Sequence, residues 1–512
     1  MGEGVALLAH ETVHREISAD ELTAVVGELL SAGFRLALAA AHDDGPELRV
    51  VYVLLNGRPD RRVELTVRVP IDDPRTPTLA RLSFPGGRFE REMHDLFGLV
   101  PVEHPLPRRL VRHGHWPAGW YPMRRGAGPF PGLTDFDPFP FLTVEGAGVY
   151  EIGVGPIHAG LIEPAHFRFS VVGETILKLK ARLWFVHRGV ERLFEGQDPL
   201  TAAPLAERIS GDTSVGHALA YALAVEEALG VTMPPEGQRL RAVLLELERL
   251  YNHVADLGGI ANDVGYGIAN AHAQTVRERL LRLNASVTGH RLLRDAIAPG
   301  SVSLLALPDL RELEDIAAAV GELARNTLAQ SVVLDRFAGT SPLSLDQARD
   351  LGCLGIVARA SGSAVDARVD HPFFPLDITP VLRTTGDVLA RYEVRVEEFA
   401  ASIAVIKLLM PAVGAPHFAV ALPTGLAHVA PAAHGAAGER QPARGLGVVE
   451  GWRGTIVHRV EIDAEGLISR LKVVDPSWFN WPALPLALRD TIVPDFPLTN
   501  KSFNLSYAGN DL

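Results

Sequence analysis

A single cysteine, Cys353, stands among 512 residues. No intrachain disulfide can form, and a four-thiolate zinc, iron–sulfur or nickel site built by this chain alone is excluded. Basic charge is also scarce: 49 Lys and Arg face 61 Asp and Glu, a net charge of −12. Nucleic acid is disfavoured as a partner, because phosphate binding draws on clustered cations. Long apolar runs are missing too. The best candidate, 399–438, has no Asp or Glu, yet Lys407, Pro411, Pro416, Pro423 and Pro431 interrupt it. A spanning helix needs about 20 consecutive apolar residues, so this stretch reads as one buried helix followed by a packed, irregular segment. The opening residues lack the basic flank, apolar core and small-residue cleavage site of a signal peptide. There is no G-x-G-x-x-G after a strand and no P-loop. The expectation is a cytoplasmic chain, reaching a membrane only peripherally and through partners.

What is present divides the chain into an α+β arrangement. Residues 1–110 read as a small α/β unit. Helical spacing of Leu22, Val25, Val26, Leu29 and Leu30 predicts a helix over 21–33, and alternation predicts strands over 49–55 and 62–69 around Asn56-Gly57. Residues 111–140 are crowded with Pro, Gly, Arg and aromatics, an extended linker suited to lie across a partner. Residues 141–512 open with short strands and turns. Helices are then predicted over 215–229, 239–257, 272–293, 310–334, 344–351 and 386–409, most with apolar residues at three- and four-residue spacing. Strands return from Gly447. This second unit is expected to be mostly helical with a β periphery, and no internal repeat is visible.

The run FEREMHDLFGLVPVEHPLPRRL carries Glu90, Arg91, Glu92, Asp95, Gly98, His104, Pro105 and Arg109. Alone, E-R-E-x-x-D on a helix reads as a solvated ion-pair face. The whole run resembles the signature of the smaller connecting subunit of respiratory complex I. In the second unit, GPIHAGLIEPAHFRF, HRGVERLFEG, ERISGDTSVGHALAYALAVEEALG, LLELERLYNHVADLGGIANDVG and VPDFPLTNKSFNLSYAGNDL resemble, in order, the large subunit of nickel–iron hydrogenases and the complex I subunit of the same fold. The fusion of both units resembles the large subunit of formate-hydrogenlyase-type membrane-bound hydrogenases. That resemblance implies an iron–sulfur small subunit and membrane-arm subunits as partners.

The chemistry departs from the resemblance. Hydrogenases hold nickel and iron with two C-x-x-C pairs, because soft sulfur ligands bridge the metals. Here those positions carry Ser210 and Thr213, then Ser506 and Gly509. No metal site is therefore expected, and no cofactor held by this chain alone. In complex I the corresponding cavity takes a quinone near a partner's 4Fe–4S cluster, which implies a need for polar donors at the ring carbonyls and titratable groups behind them. The candidates for acid–base work are Glu163, His166, His158 and Asp263. Glu163 stands at the hydrogenase proton-gate position of the I-E-x-x-H context. Ser210, Asp212, Thr213 and His217 open the helix that carries the first pair; His253 lies on the next helix; Ser506 and Tyr507 mark the second pair. Arg359 and Arg368 match a segment that, by resemblance, orients the partner's cluster or an anionic group.

Each residue also has a plainer reading. His166 and His253 read equally as satisfied core histidines, Ser210 as a helix N-cap, Glu246 and Arg249 as an internal helix pair, Arg359 and Arg368 as surface salt bridges, and Cys353 as a buried structural thiol. Complex I carries a tyrosine that hydrogen-bonds the quinone where this chain has Gly211, so quinone chemistry and a non-catalytic scaffold both stay open. A hydrogenase with unusual ligands is the weakest reading.

Overall fold

The computed structural model describes residues 10–135, 137–160, 162–423 and 442–512. Four strands, β1 (Glu11–Glu16), β2 (Arg35–Asp43), β3 (Glu47–Asn56) and β4 (Arg61–Pro70), form a sheet in the order β1-β4-β3-β2. β1 runs parallel to β4 and the other pairs are antiparallel. Helix α1 (Leu22–Ser31) is shorter than the periodicity suggests, ending ahead of Gly33 at φ +86°. Helix α2 (Phe84–Phe97) starts at a Ser83 cap and stops at left-handed Gly98. β2 and β3 are buried almost end to end, because the sheet is covered on two sides.

The solvated-face reading of E-R-E-x-x-D is overturned. Glu90 and Asp95 are fully buried and Glu92 nearly so. Asp95 Oδ2 accepts the amides of Leu110, Val111 and Arg112 at 2.8, 2.8 and 3.1 Å. Arg91 donates to the carbonyls of Arg108 and Arg109, and Glu92 accepts from Lys472 Nζ at 2.7 Å. The motif fastens the start of the linker and the second unit onto α2. Three amides converging on one carboxylate oxygen are strong, charge-assisted bonds. The linker, expected to lie across a partner, is thus anchored to this chain at its near end.

In the second unit, the opening strands form one antiparallel sheet of β5 (Val149–Val154), β6 (His166–Val172) and β7 (Thr175–Arg182). The helices follow: α3 (Ser214–Leu229), α4 (Pro235–Asn262), α5 (Gly267–Thr288), α6 (Leu310–Leu328) and α7 (Val388–Leu409). The helix expected over 310–334 breaks at Ala329–Gln330 and resumes at Ser331–Phe337. The one expected over 272–293 stops at Thr288, where Gly289 adopts φ +83°. No helix among the described residues is long and apolar enough to cross a membrane. The irregular segment expected to run to Gly438 falls partly outside the described residues.

The last sheet comprises β8 (Ala443–Gly451), β9 (Gly454–Ile462) and β10 (Ile468–Val474), antiparallel throughout. α3 lies directly on β8, and two glycines permit that approach. A Cβ at Gly447 would sit 1.8 Å from Ala220 O, and at Gly445 2.0 Å from Ala224 O. The two units meet sheet to sheet through buried ion pairs: Arg49 to Glu461 with both contacts at 2.8 Å, and Arg459 to Glu64 at 2.8 and 3.0 Å. This α+β frame brings the head of α3, the β8–β9 turn and the C-terminal tail together.

Candidate functional site

The two hydroxyl-bearing segments converge although 296 residues separate them: Ser210 Oγ lies 2.8 Å from Ser506 Oγ. Ser210 also donates to Asp212 Oδ1 at 3.0 Å, as does Thr213 Oγ1. Arg453, in the β8–β9 turn, grips Asp212 with both guanidinium nitrogens at 2.7 and 2.5 Å. Desolvation would raise the Asp212 carboxyl, but Arg453 together with the Thr213 and Ser210 hydroxyls holds it at about 2. Trp452 Nε1 donates to Asp212 O and Thr213 Oγ1, both at 3.1 Å. Sequence reading missed Arg453; a Gly-Trp-Arg-Gly turn between alternating strands was the available signal.

The N-cap reading of Ser210 is corrected. Thr213 is the N-cap of α3 and makes no side-chain cap bond. Instead Glu248, from the middle of α4, accepts Val215 N at 2.6 Å and Gly216 N at 3.0 Å. A carboxyl group at a helix N-terminus satisfies orphan amides, here supplied from another helix. Burial still pushes Glu248 up to about 8 against the pull of those amides. Glu90 and Glu207 are likewise pushed up to about 7, mainly by burial. Above pH 4.5 the folded chain keeps protons that the unfolded chain has released, so stability falls as pH rises. Buried histidines such as His113, lowered to about 4 chiefly by desolvation, act in the opposite sense up to pH 6.5. The expected result in denaturant titrations is declining stability from pH 6.5 to 8, with a flatter profile in Glu248→Gln.

Beside the hydroxyl pair, Ala508 N donates to Glu163 Oε2 at 2.9 Å, tying the GPIHAGLIEPAH loop to the tail. His158 stands 6.2 Å from the Tyr507 ring, centroid to centroid. His166 opens β6 and engages Gly155 O through Nδ1 at 3.1 Å. Among the described residues His158 Nε2 and His166 Nε2 are buried without a partner, and Tyr507 Oη has no hydrogen bond of normal geometry. Burial pushes Tyr507 up to about 12 and lowers His158. Tyr507 also packs on Trp481 at 4.8 Å. The loop's outer residues Ile157 and Ile162 are exposed.

The remaining candidates make their side-chain hydrogen bonds with other partners. His217 is fully buried, bonded through Nδ1 to His458 Nε2 at 3.0 Å and through Nε2 to Asp475 Oδ2 at 3.1 Å. Asp475 backs onto Gly509, where a Cβ would fall 2.6 Å from its carboxylate. Asp263 caps α4, partly exposed, and desolvation raises its carboxyl. His253, Arg359 and Arg368 join an interior ion network. Glu398 meets His253 at 3.3 Å and Arg359 at 2.6 Å; Arg359 also meets Glu450 at 2.7 Å. Arg368 bonds Asp366 at 2.7 Å and approaches Glu246 at 3.3 Å. Arg359 and Arg368 are both buried, so the surface salt-bridge reading is overturned. Cys353 is buried, and burial pushes its thiol up to about 12, which leaves it inert at neutral pH.

The donor set does not suit a nickel–iron centre. The four positions offer two serine hydroxyls, one threonine hydroxyl and a glycine, and the two serines bond each other. Alcohols of ordinary acidity do not replace bridging thiolates.

Residues 263–511 match the family described as respiratory-chain NADH dehydrogenase, 49 Kd subunit, and residues 15–128 its 30 Kd subunit. Residues 188–257 match nickel-dependent hydrogenase. Formate hydrogenlyase subunit 5 of Escherichia coli is 31% identical over 90% of this chain and 81% of its own. Hydrogenase-4 component G of the same organism is 31% identical, covering 82% and 73%. The C/D fusion protein of the NADH-quinone oxidoreductase of Phocaeicola vulgatus is 28% identical, covering 71% and 75%. Among solved structures, a chain of the membrane-bound sulfane sulfur reductase, an archaeal respiratory membrane complex, shares the fold with TM-score 0.63 and 24% identity. That match covers 71% of this chain and 99% of the other. With both complex I units fused in one polypeptide and a hydrogenase segment between them, the chain belongs to the family of formate hydrogenlyase subunit 5 and the related NADH-quinone oxidoreductase C/D fusions.

Proposed function

We propose that this chain is the large subunit of a complex-I-like, membrane-associated oxidoreductase that works without a nickel–iron centre. Electrons arrive from a 4Fe–4S cluster in a small subunit docked over the exposed loop at Ile157 and Ile162, and a quinone or similar carrier accepts them. Reduction of a quinone to a quinol takes two electrons and two protons, so the site needs donors at two carbonyls and a route to refill them. The observation that carries the reading is the buried, partnerless Nε2 of His158 near Tyr507, on the loop that Glu163 ties to the tail, with His166 Nε2 at the end of that loop also buried and partnerless among the described residues. Buried polar atoms without partners are costly, and a ligand carbonyl would satisfy them. Membrane-arm subunits hold the assembly at the cytoplasmic face. In the purified complex, quinone-dependent reoxidation is expected to fall about 100-fold in a Glu163→Gln, His166→Ala double variant; an unchanged rate overturns the reading.

A second reading has its own support. The Ser210–Ser506 contact and the Asp212–Arg453 grip occupy the crossing of the two former ligand segments with the chain's own side chains. On that reading the domain is a scaffold that docks the small subunit and transmits movement, and the double variant turns over normally.

A further inference from the structure

Where the N-terminal sheet meets the helical unit there is a cavity of about 350 Å³, away from the hydroxyl pair. Its apolar walls include Met233, Phe373, Phe374 and Leu446, and its polar lining includes His371 and Gln238 together with charged groups already paired, Glu226 with Arg241 at 2.6 and 2.9 Å and Glu227 with Arg62 at 3.5 Å. That volume lies in the range of small-molecule sites, which combine apolar walls with few polar groups.

His371 follows the short helix Ala367–Asp370 and is 2% exposed. Its Nδ1 lies 2.8 Å from Oδ1 of Asp60, in the turn between β3 and β4. Arg62 secures the other Asp60 oxygen at 2.9 Å. Desolvation acts to raise Asp60, but His371 and Arg62 hold it at about 2. An ionised carboxylate only accepts, so Nδ1 of His371 carries the proton and Nε2 keeps its lone pair. Burial also keeps the imidazole neutral by lowering its pKa. Gln238 Oε1 is a second buried acceptor with no partner among the described residues. The cavity thus offers aromatic and thioether walls with one imidazole acceptor fixed in tautomer by its carboxylate, the lining carboxylates Glu226 and Glu227 being held by Arg241 and Arg62.

We infer that this cavity binds a hydroxylated aromatic molecule of the phenol class, with its ring between Phe373, Phe374 and Met233 and its hydroxyl donating to His371 Nε2. The site is independent of the quinone reading, because it shares no residue with the Glu163 cluster.

The test titrates the full-length chain with 2-naphthol and, as a control, 2-methoxynaphthalene, which keeps the ring and oxygen but lacks the donor. Naphthol is expected to bind about fivefold to tenfold more tightly, the size of one buried neutral hydrogen bond. In His371→Phe that preference is expected to vanish while ring binding persists. Independently of any variant, the Nε2 resonance of His371 in histidine-labelled wild-type protein is expected to shift with naphthol and not with the ether. Equal affinity for the two compounds, failure of naphthol to saturate, an unmoved His371 resonance, or a preference surviving in His371→Phe overturns the inference.

Discussion

Arg359→Met is expected to destabilise the isolated chain by about 3–5 kcal/mol, read as a lower denaturation midpoint. Arg359 is fully buried and meets Glu398 at 2.6 Å, Glu450 at 2.7 Å and Asp366 at 3.4 Å. A buried ion pair replaced whole by apolar side chains is often neutral in stability, because desolvation offsets the attraction. Removing one guanidinium is different: among the described residues Glu450 is then left with no ion-pair partner in a medium of low dielectric, while Asp366 keeps Arg368 and Glu398 keeps Arg249. Desolvation alone would raise Glu398, yet its cationic neighbours, Arg359 first, hold it well below the usual carboxylate range, and it loses the foremost of them when Arg359 goes. Lysine is a poor substitute: Arg359 serves Glu398 through Nε and Glu450 through Nη1 simultaneously, which a single ammonium reproduces badly. A residue that served only to present charge to a partner's cluster would leave the midpoint of the isolated chain unchanged. The experiment therefore separates an interior strut from an electron-transfer contact.

The sequence made the architecture legible where period and punctuation agree. Alternation located the strands at 47–56 and 61–70 to within two residues, and three-four spacing found α3, α4 and α7. The convergence of Ser210 with Ser506 was legible only through resemblance, since no local pattern links residues 296 apart. What stayed hidden was decided by tertiary contact. Glu246 and Glu248 are two residues apart on one helix, so they point to different faces. Glu246 joins the ion network with Arg368, whereas Glu248 caps α3, and nothing in the spacing says which does which. Arg453 and Asp475 carry no periodic signal, one lying in a two-residue turn and the other just past a strand. The burial of E-R-E-x-x-D was equally invisible, because its partners are backbone amides of the linker and a lysine 380 residues away.

Two glycines where the 210–213 and 506–509 segments cross are expected to respond oppositely to a side chain. At Gly509 a Cβ would lie 2.6 Å from the Asp475 carboxylate and 3.0 Å from Ser506 Oγ. Asp475 has little room to yield: His217 Nε2 holds one oxygen at 3.1 Å and Ser477 N the other at 2.7 Å. Gly509→Cys is thus expected to cost about 1–3 kcal/mol through overpacking, and the variant with cysteine at 210, 213, 506 and 509 together to retain no stoichiometric nickel. At Gly211 nothing lies within 4 Å of the Cβ position. Gly211→Tyr is expected to leave the unfolding midpoint unmoved, the loss of unfolded-state freedom offsetting any small strain. It places a phenol where complex I, by resemblance, uses one to hold a quinone carbonyl. Quinone-dependent reoxidation of the assembled complex is expected to rise about threefold to tenfold, the worth of one added hydrogen bond. A stable Gly211→Tyr complex with an unaltered rate would place the carrier elsewhere than this wall. Stoichiometric nickel in the four-cysteine variant would mean that Asp475 gives way, and that sulfur alone separates this crevice from a hydrogenase.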